Sequence, residues 1–565
     1  FSEAHGIGPF IPLVGPWQLY GIEINHYAHE LAQMVVWIGY LQWVKFNGFG
    51  LDRDPILRRM KNIQCRDAIL DRSDPENPIE PEWPKVDFIV GNPPFVGGNK
   101  IRQELGNEYL ERLFQMYEGR IPGFADLCCY WFEKARSQIE RGRCRRAGLL
   151  ATQGIRGGAN RKVLERIKQA GDIFFAESDR PWILDGANVH VSMVGFDDGS
   201  DESRVLDGES VSVINANLTG ISADITRAET LASNGSMCFM GPSAKAPFDI
   251  DERVGISMLT AGGNANGRPN SDVVRPVHSA VDLVKISRHR WTVDFGFMDE
   301  NCASQYEAPF EYVRREVYPV RHSGRRAKYA GNWWQYARPR VGMRKALENA
   351  ASFISSPSVS KHRLFVFVGS EALCNQGTLV FARSDDCFFG VLHSRLHEVW
   401  ARAQGTQLRE RESGFRYTPT TCFETFPLPR PTPDQEAAIA EAAKELNALR
   451  ERWLWPDEWT REEVLEFPGS TDGPWAHYVH GPDARGIGTV RYPRRAPKDE
   501  AAAKKLKKRT LTNLYNQRPA WLDLAHRRLD EVVYAAYDFP PDLTDEQILE
   551  RLLALNLERA AENSE

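Results

Sequence analysis

The chain has 565 residues, 42% of them hydrophobic, which predicts a globular protein of about three domains because single cores stop growing at a few hundred residues. Its formal net charge of −5 argues weakly against nucleic-acid binding by the chain as a whole, although local clusters decide such binding. No apolar stretch has membrane-spanning length, and the nine cysteines show no spacing suited to zinc. We therefore expect a cytoplasmic protein with reduced cysteines, no metal and no membrane partner.

The first predicted element is a strand over residues 17–25, which carries an acidic side chain, Glu23, toward its end. A helix over residues 29–43 is predicted next, because apolar side chains recur at helical spacing at Leu31, Met34, Val35, Ile38 and Leu41. In a nucleotide-binding sheet, a carboxylate at a strand end typically accepts hydrogen bonds from the two vicinal hydroxyls of a ribose. The pattern therefore predicts a nucleoside contact at Glu23.

A second short strand is predicted over residues 63–70 and contains another acid, Asp67. The third strand is predicted over residues 86–90, which are mostly apolar and typical of a buried strand, and it ends at Gly91. Three successive strand ends thus carry Glu, Asp and, in the residue after the third strand, Asn92. Polar side chains repeated at strand ends favour ligand binding over packing.

The sequence Asn92-Pro93-Pro94-Phe95 directly follows the third strand. Neither proline can donate a backbone hydrogen bond and each fixes its own φ, so the chain leaves the sheet as a stiff, extended loop. The Asn92 side-chain oxygen and the Pro93 carbonyl can accept hydrogen bonds from an exocyclic amino group, while Phe95 can lie against a flat base. The alternative is a turn that merely ends the strand.

This tetrapeptide matches the catalytic motif of amino-methylating DNA methyltransferases, and the order of the surrounding elements extends the similarity. Downstream, Asp126 lies at the start of an apolar helix over residues 125–132, and further strands are predicted over residues 147–153 and 187–196. An acidic cofactor strand, an acidic adenine strand, a catalytic loop and later strands follow one another as in the gamma class of N6-adenine methyltransferases. Within that class, the chain most closely resembles the MmeI-like and phage-defence (DISARM-type) methylases.

The resemblance implies an α/β fold: a Rossmann-like class I methyltransferase sheet, a mixed α+β target recognition domain and a helical C-terminal region. The corresponding boundaries are residues 1–205, 206–428 and 429–565. The resemblance also implies S-adenosylmethionine as the cofactor, and the expected catalytic residues are Asn92, Pro93, Pro94 and Phe95. The expected cofactor-binding residues are Glu23, Ile24, Asp67, Ala68, Asn92 and Asp126.

The beginning of the sequence departs from the family pattern. Relatives place a strand with a Gly-rich loop before the acidic strand, where the loop wraps the methionine end of the cofactor. Residues 1–16 do not fit that loop, since Gly6-Ile7-Gly8 lacks a preceding apolar strand. We therefore expect an N-terminally truncated methyltransferase domain that lacks its first strand and Gly-rich loop. A smaller departure is Gln153, where relatives often carry Asn.

Residues 311–345 combine ten basic side chains with two acidic ones and interleave six aromatic residues. Arginine makes bidentate contacts with phosphate and with guanine edges, and aromatic rings add flat surfaces. The alternative is a solvated helix face with Trp333 and Trp334 in a core. For the segment as a whole we predict contact with double-stranded DNA, through Arg314, Arg315, Arg325, Arg326, Lys328, Arg338, Arg340 and Arg344.

Beyond residue 429 the sequence predicts mainly helices. They are expected over residues 432–453, 501–508, 521–537 and 544–561. Capping boxes at Thr432 and Thr544 open the first and the last of them, whereas residues 456–497, rich in Pro, Gly and Trp, are expected to form a loop. His393 and His397 have the i, i+4 spacing of a metal-binding helix, but no third ligand accompanies them, so ordinary helix packing is expected.

The mechanism implied is direct methyl transfer to N6 of an adenine flipped out of the duplex. We therefore predict a site-specific DNA-adenine methyltransferase of a prokaryotic restriction-modification or phage-defence system, associated with the nucleoid and with other restriction or defence subunits as candidate partners. Three alternatives stay open: part of a combined nuclease-methyltransferase, methylation of another amino group (cytosine N4, RNA or glutamine), and DNA binding without chemistry. The absence of a Pro-Cys dipeptide argues against cytosine-C5 methylation, which needs a nucleophilic cysteine.

Overall fold

The chain divides into two units, Phe1–Ser222 (the N-terminal unit) and Ala223–Glu565 (the C-terminal unit), each built around its own buried apolar residues. A computed structural model describes residues 14–48, 59–71, 74, 78–184, 187–220, 223–285, 288–407 and 415–562. Within these ranges, no helix is long and apolar enough to cross a lipid bilayer.

Strands and helices alternate along much of the N-terminal unit, as in α/β proteins. Its strands are β1 (Gly21–Glu23), β2 (Ile63–Cys65), β3 (Phe88–Gly91), β4 (Arg146–Thr152), β5 (Asp172–Leu184), β6 (Ala187–Asp197), β7 (Val205–Leu206) and β8 (Glu209–Ser210). Its helices are α1 (His26–Phe46), α2 (Gly98–Leu105), α3 (Asn107–Met116), α4 (Cys129–Glu140) and α5 (Gly158–Ala170).

These strands form two sheets. β1 and β2 pair in parallel, with Gly21 opposite Ile63. The other six strands pair in the order β3-β4-β6-β5-β7-β8, in which β3 and β4 are parallel while β6 runs antiparallel to both β4 and β5. Because β3 and β4 run side by side in one direction, the residues after their carboxyl ends lie at the same edge of the sheet.

The core of the N-terminal unit lies under the larger sheet, where α4 and α5 pack. Phe132 of α4 stacks on Phe196 of β6, with ring centroids 6.0 Å apart. Leu149 of β4 belongs to the same buried cluster, and so do Ile69 and Leu70, which follow β2. The two sheets of the unit therefore share one apolar core.

Helix α1 has the predicted position, but its apolar face is exposed. The Asn25 side chain caps the helix by accepting a hydrogen bond from the Ala28 amide (3.1 Å). The helix packs on β2 through polar contacts, since a ring nitrogen of His29 lies 3.0 Å from the Ile63 carbonyl oxygen. The apolar residues of the predicted stripe that are exposed are Leu31, Met34, Val35 and Ile38.

Strand β3 shows the same feature, because it is an edge strand of the larger sheet. The side chains of Phe88 and Val90 are exposed, that of Val90 by 84%. The sequence predicts a buried strand, and this prediction is wrong for the face that carries Phe88 and Val90. Within the described ranges, no element covers that side of β3, and Ile89 on the other side packs against the core.

The C-terminal unit contains thirteen further strands and thirteen further helices in the residues described. The strands are β9 (Cys238–Met240), β10 (Asp249–Ile250), β11 (Val274–His278), β12 (Trp291–Val293), β13 (Ser352–Pro357), β14 (Val366–Gly369), β15 (Leu373–Cys374), β16 (Thr378–Phe381), β17 (Thr406–Gln407), β18 (Phe415–Arg416), β19 (Thr460–Ser470), β20 (Val479–His480) and β21 (Ile487–Pro497). The helices are α6 (Glu252–Thr260), α7 (Ala280–Val284), α8 (Glu300–Ser304), α9 (Glu307–Glu316), α10 (Tyr318–Arg321), α11 (Val341–Ala346), α12 (Asp386–His393), α13 (Arg395–Gln404), α14 (Pro433–Leu454), α15 (Glu500–Leu506), α16 (Leu511–Gln517), α17 (Ala520–Ala536) and α18 (Asp545–Glu562).

Three main sheets organise this unit: β10-β12-β11-β15, β14-β13-β16-β9 and β19-β21-β20. The third sheet packs into the core beside the first, since Trp475 stacks on Trp291 of β12 with ring centroids 5.8 Å apart. Phe467 of β19 and Val490 of β21 are buried in the same cluster. Residues on both sides of the predicted boundary at 428/429 therefore share one core.

The prediction of a loop over residues 456–497 is wrong, because most of this segment is sheet. β19 and β21 pair antiparallel over their full length, from Thr460 opposite Pro497 to Ser470 opposite Ile487. Pro468 is tolerated because β19 lies at the sheet edge, where no second partner needs its missing amide. Proline content alone therefore misidentifies an edge strand as a loop.

The predicted C-terminal helices are confirmed. The Thr432 hydroxyl accepts from the Gln435 amide while the Gln435 side chain accepts from the Thr432 amide (2.9 Å), which is the predicted capping box at the start of α14. The same pair of bonds joins Thr544 and Gln547 at the start of α18. Local capping chemistry was thus sufficient to locate these helix starts.

His393 and His397 lie on different helices, since α12 ends at His393 and α13 begins two residues later. A ring nitrogen of His397 lies 2.9 Å from the Tyr417 hydroxyl, and Nε2 of His393 lies 2.9 Å from the guanidinium of Arg450. Burial lowers the pKa of His397 to about 4. The predicted packing role of both side chains is confirmed. Among the described residues, no three His, Cys, Asp or Glu side chains are grouped so as to hold a metal ion.

Candidate active site

The Asn-Pro-Pro-Phe sequence forms the loop that leaves the carboxyl end of β3. The strand ends at Gly91, which lies opposite Leu149 of β4. In the loop Asn92 is exposed, Pro93 is buried and Phe95 is half-buried. The Asn92 amide is therefore accessible to a ligand, while the buried Pro93 fixes the backbone directly behind it.

A backbone hydrogen bond and a carboxylate hold this loop in place. The Leu127 amide donates to the Val96 carbonyl (2.9 Å), and the Gly98 amide donates to Oδ1 of Asp126 (3.0 Å). Gly98 approaches the opposite segment so closely that a Cβ there would lie 2.0 Å from the carbonyl oxygen of Phe124. Glycine is required at this position, because any side chain would force the loop away from the segment that precedes α4.

Glu23 is the last residue of β1 and lies at the carboxyl end of the smaller sheet. Its Oε1 accepts a hydrogen bond from the Asn25 amide (2.7 Å), which orients the carboxylate. Its Oε2 has no hydrogen-bond partner within the residues that the structure describes, and the following residue, Ile24, is exposed. The Glu23 carboxylate thus retains an oxygen that can accept hydrogen bonds from a ligand.

Asp67 follows β2 and is held rigidly by its neighbours. Its Oδ1 accepts from the amides of Ile69 (2.9 Å) and Leu70 (3.1 Å), and its Oδ2 accepts from the Tyr109 hydroxyl (2.9 Å). Ala68 is buried, and its carbonyl accepts from the Trp83 indole (2.9 Å). Three donors fix the direction of the Asp67 carboxylate, and Oδ2, which accepts one of these hydrogen bonds, has a further lone pair for a ligand.

The structure brings the predicted site residues together in two pairs. Parallel pairing places Glu23 opposite Cys65, two residues before Asp67, so these two acids share one edge of the smaller sheet. Asn92 and Asp126 belong to the loops at the carboxyl edge of the larger sheet. In the ranges described, no ladder joins β1 to β3.

Two polar residues near these loops were missed in the sequence. The Tyr109 hydroxyl fixes Asp67 across 42 positions of the chain, and Asn160 bonds to the Asp126 amide (2.8 Å) across 34. Neither residue belongs to a local pattern, because both act through contacts that only the tertiary fold creates. A polar side chain in the first turn of α5 was the single available signal, and it is too common to be diagnostic.

The predicted DNA-binding cations of the C-terminal unit differ in how their charge is used. Arg314 pairs with Glu311 (2.8 Å) on α9, and Arg315 pairs with Glu316 (2.8 Å); all four side chains are exposed. Such exposed pairs are weak and can be exchanged for other anions. The side chains of Arg325 and Arg326 lie outside the described part of the chain.

Other cations of the same segment are exposed without a carboxylate partner. Neither Lys328 nor Arg338 forms an ion pair with a described residue, and the Lys328 ammonium lies 5.1 Å from the Tyr329 ring centre. Arg340 is held in the left-handed region (φ 61°), and its Nε donates to the Gly241 carbonyl (3.3 Å). Lys328 and Arg338 therefore present the least compensated charge among the described side chains predicted to bind DNA.

Arg344 is bound within the protein. Its guanidinium makes two hydrogen bonds to the carboxylate of Asp294 (2.8 and 2.9 Å), and the side chain of Asp294 is only 3% exposed. Burial opposes ionisation of Asp294, but Arg344 and then Arg275 outweigh it and hold the pKa of Asp294 below its ordinary value. The geometry therefore gives Arg344 a structural role and leaves little of its guanidinium for phosphate.

The aromatic residues of the segment are divided in the same way. Trp333, Trp334 and Tyr336 are buried in the core cluster of the C-terminal unit, which is the alternative role considered for the two tryptophans. Tyr318 is exposed and stacks on His322 with ring centroids 3.8 Å apart. Of these aromatic side chains, Tyr318 is the one placed to meet a partner at the surface.

Comparisons with known proteins match two parts of the chain, a methyltransferase domain and a target recognition domain. Residues 13–207 match the family model of the MmeI DNA-methyltransferase domain, and residues 264–430 match that of the MmeI target recognition domain. The fold resembles that of the Type IIL restriction-modification enzyme MmeI in complex with DNA, with a TM-score of 0.68 and 18% identity over 97% of this chain and 67% of that one.

DNA methyltransferase A of Bacillus subtilis (strain 168) is 23% identical over 472 residues, which are 78% of this chain and 50% of the relative. The chain thus spans about half the length of this curated relative. A methyltransferase domain followed by a target recognition domain defines a protein of the DNA-methyltransferase class. Within that class, the chain belongs to the MmeI family, since it carries both the methyltransferase domain and the target recognition domain of that family.

Proposed function

We propose that the protein transfers a methyl group from S-adenosylmethionine to the N6 amino group of a flipped adenine at specific sites in double-stranded DNA. The observation that carries this proposal is the Asn92 amide, exposed at the carboxyl end of β3 with Pro93 buried behind it. We further propose that it acts in the cytoplasm of a prokaryote, within a restriction-modification or phage-defence system and alongside its other subunits.

The loop suits an amino group because it presents acceptors and no donor from its prolines. The N6 lone pair of adenine is delocalised into the ring and is therefore a poor nucleophile. When the Asn92 oxygen and the Pro93 carbonyl accept hydrogen bonds from the two N6 protons, the lone pair becomes localised on nitrogen. The amine can then take the methyl group and release one proton. Preorganised partners of this kind stabilise developing charge by a few kcal/mol, roughly, in comparable sites.

The nucleoside end of the cofactor fits the acids of the smaller sheet. Glu23 retains an open oxygen for the ribose hydroxyls, and the fixed carboxylate of Asp67 can accept a hydrogen bond from the adenine amino group. Ile24 and Ala68 flank these two acids, and Asp126 lies at the catalytic loop. When bound, S-adenosylmethionine supplies an electrophilic methyl group on a sulfonium.

We also propose a Rossmann-like class I sheet as the complete form of the N-terminal unit. Two observations support it: β3 is an edge strand with exposed apolar side chains, and β1 pairs only with β2 among the described strands. A parallel strand between β1 and β3 would join the two sheets and cover Phe88 and Val90. The Gly-rich loop that holds the methionine end of the cofactor belongs after such a strand.

DNA recognition is assigned to the C-terminal unit. Lys328 and Arg338 offer uncompensated charge for phosphate, and Arg314, Arg315 and Arg340 can add to it. An amino group inside a duplex cannot reach the catalytic loop, so the adenine must leave the stack. Phe95, half-buried beside the exposed Asn92, is placed to lie against the flipped base.

The proposal is tested by Asn92→Ala in the full-length protein, with methylation measured as transfer of labelled methyl groups to DNA and with the product base identified. We expect a loss of at least about a hundredfold, because the substrate amine loses an acceptor, while cofactor affinity changes little. Asn47→Ala is the matched control, since Asn47 only caps the end of α1 by donating to the Trp43 carbonyl. Full activity of the Asn92 variant would refute the proposal, and N4-methylcytosine as the product would redirect it to the other amino group.

A further inference from the structure

A continuous set of hydrogen bonds links the catalytic loop to the loop after β4 through Asp126 and Asn160. Asn160 is the third residue of α5, and its Oδ1 accepts from the Asp126 amide (2.8 Å). Its Nδ2 donates to the Gly154 carbonyl (3.3 Å). The Asp126 carboxylate in turn accepts from the Gly98 amide (3.0 Å), directly after the catalytic loop.

We propose that Asn160 is a positioning residue that sets the geometry of the Asn-Pro-Pro-Phe loop through Asp126. The proposal rests on the function proposed above for that loop. Asn160 uses both halves of its amide, as an acceptor toward one loop and a donor toward another. No other side-chain chemistry of this size supplies an acceptor and a donor pair in one plane, so an amide is the group required.

Hydrogen bonds to a neighbouring segment support the loop, in addition to the buried Pro93 and to Val96, which packs against the core. β3 ends at Gly91, and beyond it the two prolines contribute no backbone donors. The first contacts after the motif are those of Val96 with Leu127 and of Gly98 with Asp126. Both partners lie in the segment before α4, so the orientation of Asn92 depends on where that segment stands.

Asn160 fixes that segment against the loop that follows β4. The exit from β4 is crowded around Gly154, where a Cβ would lie 3.3 Å from the Thr152 hydroxyl, 3.5 Å from Nδ2 of Asn160 and 3.7 Å from Oδ2 of Asp126. Three segments therefore meet at one point: residues 92–98, residues 124–127 and residues 153–157. A displacement of about 1 Å in such a site costs on the order of a hundredfold in rate.

A first test uses the full chain without ligand and measures amide hydrogen exchange by mass spectrometry. Asn160→Ala should speed exchange at least about tenfold in peptides that contain the amides of Gly98, Asp126 and Leu127, because their hydrogen-bonded segment loosens. Peptides from β4 and β6 should be unchanged. Asn62→Ala is the control, since Asn62 is half-buried like Asn160 but donates to the Pro16 carbonyl (3.0 Å), away from these three segments. Unchanged exchange near Gly98, or a uniform rise across the unit, would overturn the proposal.

Asn160→Asp separates the two halves of the amide. It keeps the acceptor for the Asp126 amide and replaces the donor to Gly154, so protection at Asp126 should stay close to that of the unsubstituted chain. Equal loss of protection in the Asp and Ala variants would contradict the role of Oδ1 as the acceptor. This variant also keeps the proposal testable if Asn160→Ala does not fold.

A second test follows steady-state methylation by the full-length protein. Asn160→Ala should lower kcat about 10–100-fold and leave the KM for S-adenosylmethionine unchanged, since Asn160 orients the loop and does not touch the cofactor. Asn92→Ala is measured beside it. If the Asn92 variant is fully active, the proposed function fails while the exchange result still stands. If the Asn92 variant is inactive and the Asn160 variant has an unchanged kcat, the positioning role alone fails.

Discussion

The Asn-Pro-Pro-Phe loop and the basic segment at residues 311–345 were both identified by residue type, but the structure places their side chains differently. The loop follows β3 as the sequence predicts and exposes Asn92, and the structure adds that Pro93 is buried. In the basic segment, side chains of the same charge have different surroundings: Lys328 is exposed to solvent, whereas Arg344 is hydrogen-bonded to Asp294. A motif of consecutive residues can be located from the sequence alone, but a count of charges does not show which of them are free to bind a partner.

The largest effect that we expect is the loss of stability when a buried cation of the basic segment, rather than an exposed one, is removed. Arg344→Ala should lower the free energy of unfolding of the C-terminal unit by about 3–5 kcal/mol, because it leaves the buried carboxylate of Asp294 without its main partner. Lys328→Ala should change it by less than about 0.5 kcal/mol, since that side chain is exposed. Urea unfolding followed by tryptophan fluorescence measures both. Equal effects would show that the two cations are not distinguished by their contacts.

The next effect concerns the sheet-edge acids. Glu23→Ala in the full-length protein should weaken S-adenosylmethionine binding by about 1.5–3 kcal/mol, roughly tenfold or more in Kd, because the ribose loses a charged acceptor. Calorimetric titration of both proteins measures the change, with Glu30→Ala on the exposed side of α1 as the control. An unchanged Kd would show that Glu23 is only a surface acid, so that of the two strand ends only the one at Asn92 could still bind a ligand.

DNA binding by the full chain should depend on the exposed cations. Each phosphate contact removed lowers the slope of log K against log salt by about 0.9, so Lys328→Ala and Arg338→Ala should each flatten it by up to that amount. Arg325→Ala with Arg326→Ala should do the same if their side chains meet DNA as predicted. Fluorescence anisotropy at several salt concentrations gives the slopes. A slope that none of these changes affects would place the DNA-binding surface elsewhere.

The smallest expected effect is a pH dependence confined to acid. The folded pKa of Asp294 lies below its ordinary value, so its ion pair contributes stability above the unfolded pKa of about 3.9, and this contribution is lost as pH falls through the folded pKa. The free energies of unfolding of the unsubstituted chain and of the Asp294→Asn variant should therefore become more similar as the pH is lowered. If the difference between the two free energies of unfolding stayed constant from neutral to acidic pH, the lowered pKa of Asp294 would be contradicted.

Much of the fold could be predicted because the deciding interactions are local. The capping boxes at Thr432 and Thr544 each involve residues three apart, and both helices begin where the boxes predict. The strands that lead to Glu23 and Asn92 were also located, since apolar runs followed by turns are short-range signals. The position of the Asn-Pro-Pro-Phe loop along the chain could be predicted without long-range information, although the contacts that orient it could not.

The rest depends on partners that are distant in sequence. β19 and β21 were missed because the Pro, Gly and Trp content of residues 456–497 suggested a loop, and only the pairing of the two strands, which are distant in sequence, shows that they form a sheet. The exposed face of α1 was missed because helical periodicity gives the face that is apolar, not whether another element covers it. Asn160 was missed because its two bonds connect loops that meet only in the folded chain.

The open side of β3 also affects how the chain behaves in solution. An edge strand with unpaired backbone groups and exposed apolar side chains is a template for pairing with another chain. Among the described strands β3 pairs only with β4, and Phe88 and Val90 are exposed on it, so we expect a polypeptide of this sequence to associate with itself through this strand. A polypeptide strand that pairs in parallel with β3 would form hydrogen bonds with its free backbone groups and would bury the side chains of Phe88 and Val90. The strand is therefore both an aggregation hazard and an acceptor for a donor strand.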